Sequence, residues 1–367
     1  MTTERVRLLV NGQGHEGWKE VRVSAGIERQ ARDFSLVVTD RWPGNDLARR
    51  VAPGDLCEVW FGTDKVLTGY VDATPISYDA GQVAVGVSGR SKTADLVDCS
   101  AIHSPGQWRG VSVERIAGEL AAPYGVEVVA AVPTGTVLEH QLDPGESVFE
   151  SVDRLLTQKA LLATDDAEGR QVLTRAGTLR ASTALVTGQN VLSASTSLDF
   201  KERFSEYRCR GQRAGSDTDF GAAVAGQVTS IPDRGVRRRR VLDVQSDGQG
   251  DLAAMRDRVR WEAAYRAGRS YQTTYVVQGW RQANGQLWLP NMRVRVRDSI
   301  IGFDLEMLIA EVDYLQNESG TTASLTVAPV AAYELLPEVP SAKGKKKRGG
   351  KGGFALGEGE TLVEFKP

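Results

Sequence analysis

The sequence predicts a mainly β fold with an α+β insertion: two β-barrel-like domains, a small α+β domain inserted into the first, and a flexible C-terminal tail. Short apolar runs separated by turn signals fill the first hundred residues. After Ser100 the apolar spacing changes to a helical period. Strand-like runs then return beyond Gly268, on either side of Asn284-Gly285, the strongest hairpin signal in the chain.

Strands are expected at Val6 to Val10, Val21 to Val23, Phe34 to Val38, Cys57 to Phe61, Lys65 to Thr74 and Val83 to Ser88. Asn11-Gly12, Pro43-Gly44-Asn45-Asp46, Pro53-Gly54-Asp55 and Ala80-Gly81 punctuate them, as in an antiparallel sandwich or a closed or nearly closed barrel. Val113, Ile116, Ala117, Leu120 and Ala121 then mark one helix face, with Ser112 as N-cap. A second helix follows Pro144-Gly145 through Val148, Val152, Leu155 and Leu156, with Glu146 in its opening turn. The runs 161–164 and 171–175 flank a hairpin signal at 165–170. Strand patterns at Ala184 to Val186 and Glu206 to Gly211 make this block an insertion within the first barrel.

Gly215 to Gly235 reads as a polar crossing, and Leu252, Met255, Val259 and Ala263 mark a charged amphipathic helix between Gly250 and Gly268. Strands are expected again at Ser270 to Trp280, Gln286 to Leu289, Met292 to Arg297, Glu306 to Leu315 and Thr321 to Ala328. The predicted domains are therefore residues 1–97, completed by about 184–215; the insertion, 98–183; a second β domain with one helix, 216–335; and a basic linker with a C-terminal docking peptide, 336–367.

Composition narrows the function classes. The hydrophobic share of 41% and charged share of 25% are those of a globular protein, Met1 to Asn11 lacks a signal-peptide core, and no segment approaches membrane-spanning length. Cys57, Cys99 and Cys209 are odd in number and far apart, which argues against a disulfide framework and a zinc cluster and fits assembly in a reducing cytosol. The net charge of −2 includes six basic residues between Lys343 and Lys351, so the rest of the chain carries −8 and is poorly suited to wrapping DNA. Arg237, Arg238, Arg239 and Arg240 are the local exception. On a strand they would alternate between faces, making a local charged site or interface, or a solvated surface.

Chemistry is sparsely signalled. Gly86 to Thr93 has the phosphate-loop spacing to Lys92-Thr93, but Ser91 stands where close approach to phosphate requires glycine. His15, His103 and His140 lack the partners of a metal site or catalytic triad. Asp165-Asp166, or Glu358 with Glu360, could be imagined as an acid pair, although adjacent acids in a turn are usually solvated. Trp18, Trp42, Trp60, Trp108, Trp261, Trp280 and Trp288 read as core or interface residues, with a sugar platform as the minority reading. Trp280 and Trp288 flank the Asn284-Gly285 turn and could pack one end of a sheet.

Several phrases, taken in order, resemble the baseplate hub proteins of Mu-like contractile-tailed phages and related late-control and tail proteins. They are Gly17-Trp18, Val21-Arg22-Val23 and Ile27-Glu28, the run from Gly89-Arg90-Ser91-Lys92 to Cys99, Gly106-Gln107-Trp108 and Ala122-Pro123-Tyr124-Gly125-Val126. Farther on come Arg203-Phe204-Ser205-Glu206-Tyr207, Gly279-Trp280-Arg281 and the run Gly285 to Trp288-Leu289-Pro290-Asn291. The resemblance covers residues from about 6 to 333. It implies a virion structural protein, assembled in the host cytoplasm, that needs no catalytic residue, cofactor or metal. It further implies a homotrimeric ring adapting a six-fold tail tube to a three-fold central spike, in contact with other baseplate proteins and surrounding a DNA conduit.

On that reading Gly86 to Thr93 is the exit from the first barrel into the insertion. Lys92 and Asp95 are structural or interface charges, as are Arg237 to Arg240, while Trp280, Trp288, Pro290 and Asn291 are structural or interface positions. An acidic lumen would let the genome slide without specific binding. The alternatives are a receptor- or glycan-binding tail protein, favoured by exposed, clustered tryptophans, and an enzyme using Lys92 for nucleotide or carboxylates for hydrolysis.

Overall fold

Alternation of apolar and polar residues sets the strands. In β1 (Val6–Val10), Val6, Leu8 and Val10 are buried between half-exposed neighbours. The N-terminal lobe continues with β2 (Gln13–His15), β3 (Glu20–Gly26), β4 (Asp33–Thr39), β5 (Leu56–Phe61), β6 (Asp64–Ala73), β7 (Ile76–Tyr78) and β8 (Val83–Ser91). The computed structural model describes residues 4–27, 29–39, 51–78, 83–211, 227–245 and 252–334. The expected turns at Pro43 to Asp46 and Ala80-Gly81, Trp42, most of the expected crossing, and the linker and docking peptide beyond Pro337 lie outside these residues.

The insertion begins with the short α1 (Ala94–Asp98), followed by β9 (Gln107–Ser112), α2 (Val113–Ala121), β10 (Val128–Ala130), β11 (Thr136–Gln141), α3 (Val148–Lys159), β12 (Leu162–Asp165) and β13 (Gln171–Thr174). Ser112 caps α2 as expected, its hydroxyl accepting from Arg115 N. The second helix opens later than expected: Ser147 is the N-cap and Glu150 returns a bond to its backbone, so the capping box, not Glu146, sets the start. The buried faces of both helices meet with Leu96, Trp108, Val137 and Leu173 in a core belonging to the insertion.

After β14 (Leu179–Arg180), β15 (Leu185–Val186) and β16 (Val191–Thr196), the chain enters a separate compact unit, Leu198–Ser270. It contains β17 (Glu206–Gly211), β18 (Gln227–Pro232), β19 (Val241–Gln245) and α4 (Leu252–Arg269). The sheet order is β18-β17-β19, and Met255 and Val259 of the helix pack with Tyr207 and Cys209 of the central strand. The chain then returns to the larger unit with β20 (Thr273–Gln278), β21 (Met292–Asp298), β22 (Phe303–Asn317) and β23 (Gly320–Pro329).

The class is mainly β, but the sheets are not closed barrels. The principal sheet runs in the order β16-β20-β23-β22-β3-β4-β8-β6-β5-β1-β2 and has two ends. The reason is β22. On one side it pairs with β23 almost throughout. On the other its first half pairs with β21 and its second half with β3, so one strand belongs to both lobes and neither closes on itself. The segment Ala184 to Val186 supplies β15, which pairs with β21 and not with the N-terminal strands. Gln286 to Leu289 forms no strand, only a bridge from Leu287 to Arg281.

The insertion is tied to the N-terminal lobe by polar bonds. The Arg32 guanidinium donates to Asp165 Oδ1 at 3.0 Å and to Val66 O at 2.8 Å, and Arg32 N donates to Asp165 Oδ2 at 2.9 Å. Thr68 Oγ1 donates to Ala167 O at 2.8 Å and Thr164 Oγ1 to Gly26 O at 3.2 Å. The Asp165 side chain is 1% exposed, and burial raises its pKa against the opposing pull of Arg32. Asp165→Ala, which strands the Arg32 charge, is expected to destabilise the larger unit by about 3–5 kcal/mol in denaturant unfolding. Asp166→Ala, in a more exposed turn, should cost about 1 kcal/mol or less.

Candidate functional site

The stretch Gly86 to Thr93 is a joint, not a phosphate cradle. It leaves β8, which is antiparallel to both β4 and β6. The backbone N–H groups that would face phosphate are already used: Ser91 N donates to Arg32 O and Lys92 N to Thr68 O, at 2.9 and 3.1 Å. Ser91 Oγ and Thr93 Oγ1 share a buried hydrogen bond of 2.7 Å. Glycine is required at Gly89 for a packing reason, since a Cβ there would lie 2.1 Å from Tyr70 O, where β6 and β8 press together beside a bulge. Lys92 lays its aliphatic stem near Gly169 of the β12–β13 turn. Next to this joint Arg90 donates to Asp72 at 2.8 Å and Asp98 at 2.7 Å. The bond to Arg90 holds the Asp98 carboxyl below its ordinary range, while burial, reinforced by Asp98, raises that of Asp95.

The histidines form structural contacts. His140 Nε2 and Ser151 Oγ are 2.8 Å apart, the reach of a serine–histidine pair, but both side chains are buried. Trp108 lies between His103 and His140, with ring centroids 4.6 and 5.7 Å away, and its indole N–H donates to Glu119 at 2.7 Å. No cluster of three metal-ligating side chains occurs among the described residues, nor any helix long and apolar enough to cross a membrane. Burial pushes the Cys57 thiol up to about 12, so it is not a thiolate at neutral pH. An open cavity of about 400 Å³, lined by Trp18, Lys19 and residues 316–321, contains no histidine or cysteine.

The tryptophans are mostly interior. Trp18, Trp108, Trp280 and Trp288 are buried, Trp60 and Trp261 half-buried. Among the described residues no tryptophan is exposed, so they offer no exposed cluster of the kind that would favour a sugar platform. Trp280 stacks on Phe61 with centroids 3.9 Å apart, meets Tyr314 edge-on, and donates to Leu315 O and Thr322 O. Trp288 N donates to Trp280 O at 3.0 Å, and the Tyr314 hydroxyl donates to Trp288 O. Pro290 is buried beyond them. Asn291 has φ 65° and uses its amide as a clamp, accepting from Gly177 N at 2.6 Å and donating to Arg175 O at 2.9 Å.

Arg237 to Arg240 lie on the connection between β18 and β19, not on a strand, so they do not alternate between two faces. Arg237, Arg238 and Arg239 are exposed, whereas Arg240 covers the Phe204 ring and donates to Lys201 O. Sequence reasoning grouped Asp165 with solvated turn acids and missed Arg32 altogether. Asp166 does shape the turn, accepting from Glu168 N and Arg170 N. The one local signal was that Asp165 closes an apolar strand while Asp166 opens the turn.

Comparison with known proteins matches three stretches of the chain to phage baseplate families. Residues 5–91 match the N-terminal domain of Mu phage baseplate assembly protein GpP-like proteins, residues 93–175 the second domain of baseplate hub protein gp44-like proteins, and residues 252–336 the fourth domain of Mu phage GpP. The chain is 34% identical to baseplate hub protein gp44 of Escherichia phage Mu, over 98% of this chain and 95% of that protein. Among solved structures, the 43 kDa tail protein of prophage MuSo2 from Shewanella oneidensis superposes with a TM-score of 0.81 at 30% identity, covering 90% of this chain and all of the other. A tail protein from Neisseria meningitidis MC58 shares the fold, with a TM-score of 0.75 at 21% identity, covering 90% of this chain and 99% of that one.

Two outcomes test this account of the residues. Burial lowers the pKa of His140 below 6.5, so on acidification the unfolded chain takes up the proton first and stability falls as pH drops below that value. His15 is lowered by burial too and acts with the same sign. The thermal midpoint should therefore fall between about pH 7 and pH 5 in the wild type and fall less in His140→Gln. Calorimetric titration with ATP is expected to give no binding signal for the wild type or for Lys92→Ala, because the backbone donors of this joint are already bonded to Arg32 O and Thr68 O.

Proposed function

The chain belongs to the Mu-type baseplate hub protein family, and from that premise we propose that three copies form a ring adapting a six-fold tail tube to a three-fold central spike. As a family member it is a structural protein of a phage tail. The observation that carries the finer reading is β22, which places an N-terminal and a C-terminal β lobe of each chain in one sheet. Three such chains would present six β lobes to the tube and keep three-fold symmetry toward the spike.

The proposed work is mechanical. The ring holds its neighbours in the baseplate, lets DNA pass, and uses its polar side chains for packing and docking. The larger unit carries 23 basic and 32 acidic side chains between Met1 and Ser197 and between Tyr271 and Pro337, a surplus of negative charge that suits a conduit for phosphate. The Phe61–Trp280–Tyr314 cluster and the Arg32–Asp165 bond keep lobes and insertion in one body.

Light scattering of the purified chain across a concentration series tests the reading. The expected result is a mass of three times the 39.8 kDa chain, with a central channel in electron micrographs. A persistent monomer at all concentrations, or a closed dimer, would count against a self-assembling ring.

A further inference from the structure

Charge is divided unequally along this chain. The smaller unit, Leu198–Ser270, has 15 basic and 11 acidic side chains, against the acidic surplus of the larger unit. Several described arginines of the smaller unit are neutralised within it. Arg203 pairs with Asp233, Arg208 with Glu206, Arg210 with Asp243, and Arg258 and Arg266 with Glu262. Arg237, Arg238 and Arg239 make no hydrogen bond or ion pair among the described residues, and all three are exposed, as is Arg234.

The loop that carries them is fixed at both ends. On the β18 side, Asp233 accepts from Arg203 Nε at 2.6 Å and from Gly235 N at 2.8 Å, and Val236 is buried. On the β19 side, Arg240 N donates to Ser205 Oγ at 2.7 Å, Glu206 N donates to Arg240 O at 3.0 Å, and the Arg240 guanidinium covers Phe204. The backbone between these anchors is held while the three guanidinium groups face solvent. Adjacent like charges repel, and although Arg239 also acts on the nearby Glu206 carboxylate, which Arg208 holds first, the three guanidinium groups are organised in advance for a negative partner.

We propose that the Arg237–Arg239 loop is a docking surface for an acidic protein face, and that its occupant is the acidic larger unit of a second copy of this chain. This rests on the reading that copies assemble. A few arginines on one short loop match a local carboxylate patch, whereas a duplex is held by phosphate contacts spread along a groove. The complementary charge is present on the same chain, so docking between copies needs no further component.

The experiment compares wild type, the reversal variant Arg237→Glu/Arg238→Glu/Arg239→Glu, and a control, Arg256→Glu, which reverses another exposed arginine of the smaller unit. Mass is read by light scattering at about 50 and 500 mM salt, and circular dichroism verifies folding. The expected result is a rise of about 100-fold in the apparent dissociation constant of the loop variant, a change within roughly threefold for the control, and weakening of wild-type assembly by salt. Wild-type and loop-variant oligomers of equal strength would overturn the docking proposal and leave the hub reading standing. A wild type monomeric under every condition would overturn both. Unchanged assembly with loss of binding to a fluorescent 20-base-pair duplex, an arbitrary probe of roughly two helical turns, would overturn it in favour of nucleic acid.

Discussion

One strand governs the larger unit. β22 gives its first half to β21 and its second half to β3, and a register shift between Ile309 and Glu311 marks the changeover on its β23 side. A bulge of this kind bends a strand and increases its twist, so a single run can serve two differently oriented neighbours. Side chains reinforce the crossing: Ser24 donates to Asp313, Arg22 donates to the same carboxylate at 3.0 Å, and Ile27 N donates to Ala310 O. The core follows the strand. Residues of β1, β3 to β6, β8 and β20 to β23 belong to one apolar cluster, in which Trp280 stacks on Phe61 and both rings meet Tyr314 edge-on. Aromatic side chains of that size bury much of the area that makes the association favourable.

Two further parts of the chain differ in kind from this frame. The α+β insertion has its own core but joins the lobe through Arg32 and Asp165, a buried charge pair with backbone bonds on both sides. Such a pair is weak evidence for net stability and strong evidence for a defined seating, because either partner alone would be left uncompensated. The smaller unit is built differently: its described residues form a short sheet and a helix, and its sequence has an excess of arginine. Within the insertion the His140–Ser151 pair is buried in the interior.

Much of the local structure was legible. The alternation in Met292 to Asp298 announces a strand with Arg293, Arg295 and Arg297 outward, and Ser112 before an apolar helical stripe announces a cap. What could not be read was partnership. Strand pairing is decided by residues far apart, so nothing local distinguishes a lobe that closes from one that shares a strand, and Leu185-Val186 looks the same whichever neighbour it joins. Trp280 and Trp288 were visible as a pair across a turn, but their burial depends on Phe61 and Tyr314, distant in sequence. The four arginines were legible as a charge and illegible as a loop, because the anchors that hold it, Asp233 and Ser205, act through side-chain bonds and leave no periodic pattern.

The partnership of β3 with β22 also sets a timetable. Ser24 and Asp313 are 289 residues apart, so β3 leaves the ribosome long before its neighbour exists. At typical elongation rates of about 5–20 residues per second, that interval lasts roughly 15 to 60 seconds. Throughout it β3 offers unpaired N–H and C=O groups on one edge, in a cell where identical nascent chains are doing the same. Only once residues 311–316 have been made can β22 occupy that edge. The larger unit is therefore finished from its far end, and a chain truncated before Phe303 would lack the strand that joins its lobes.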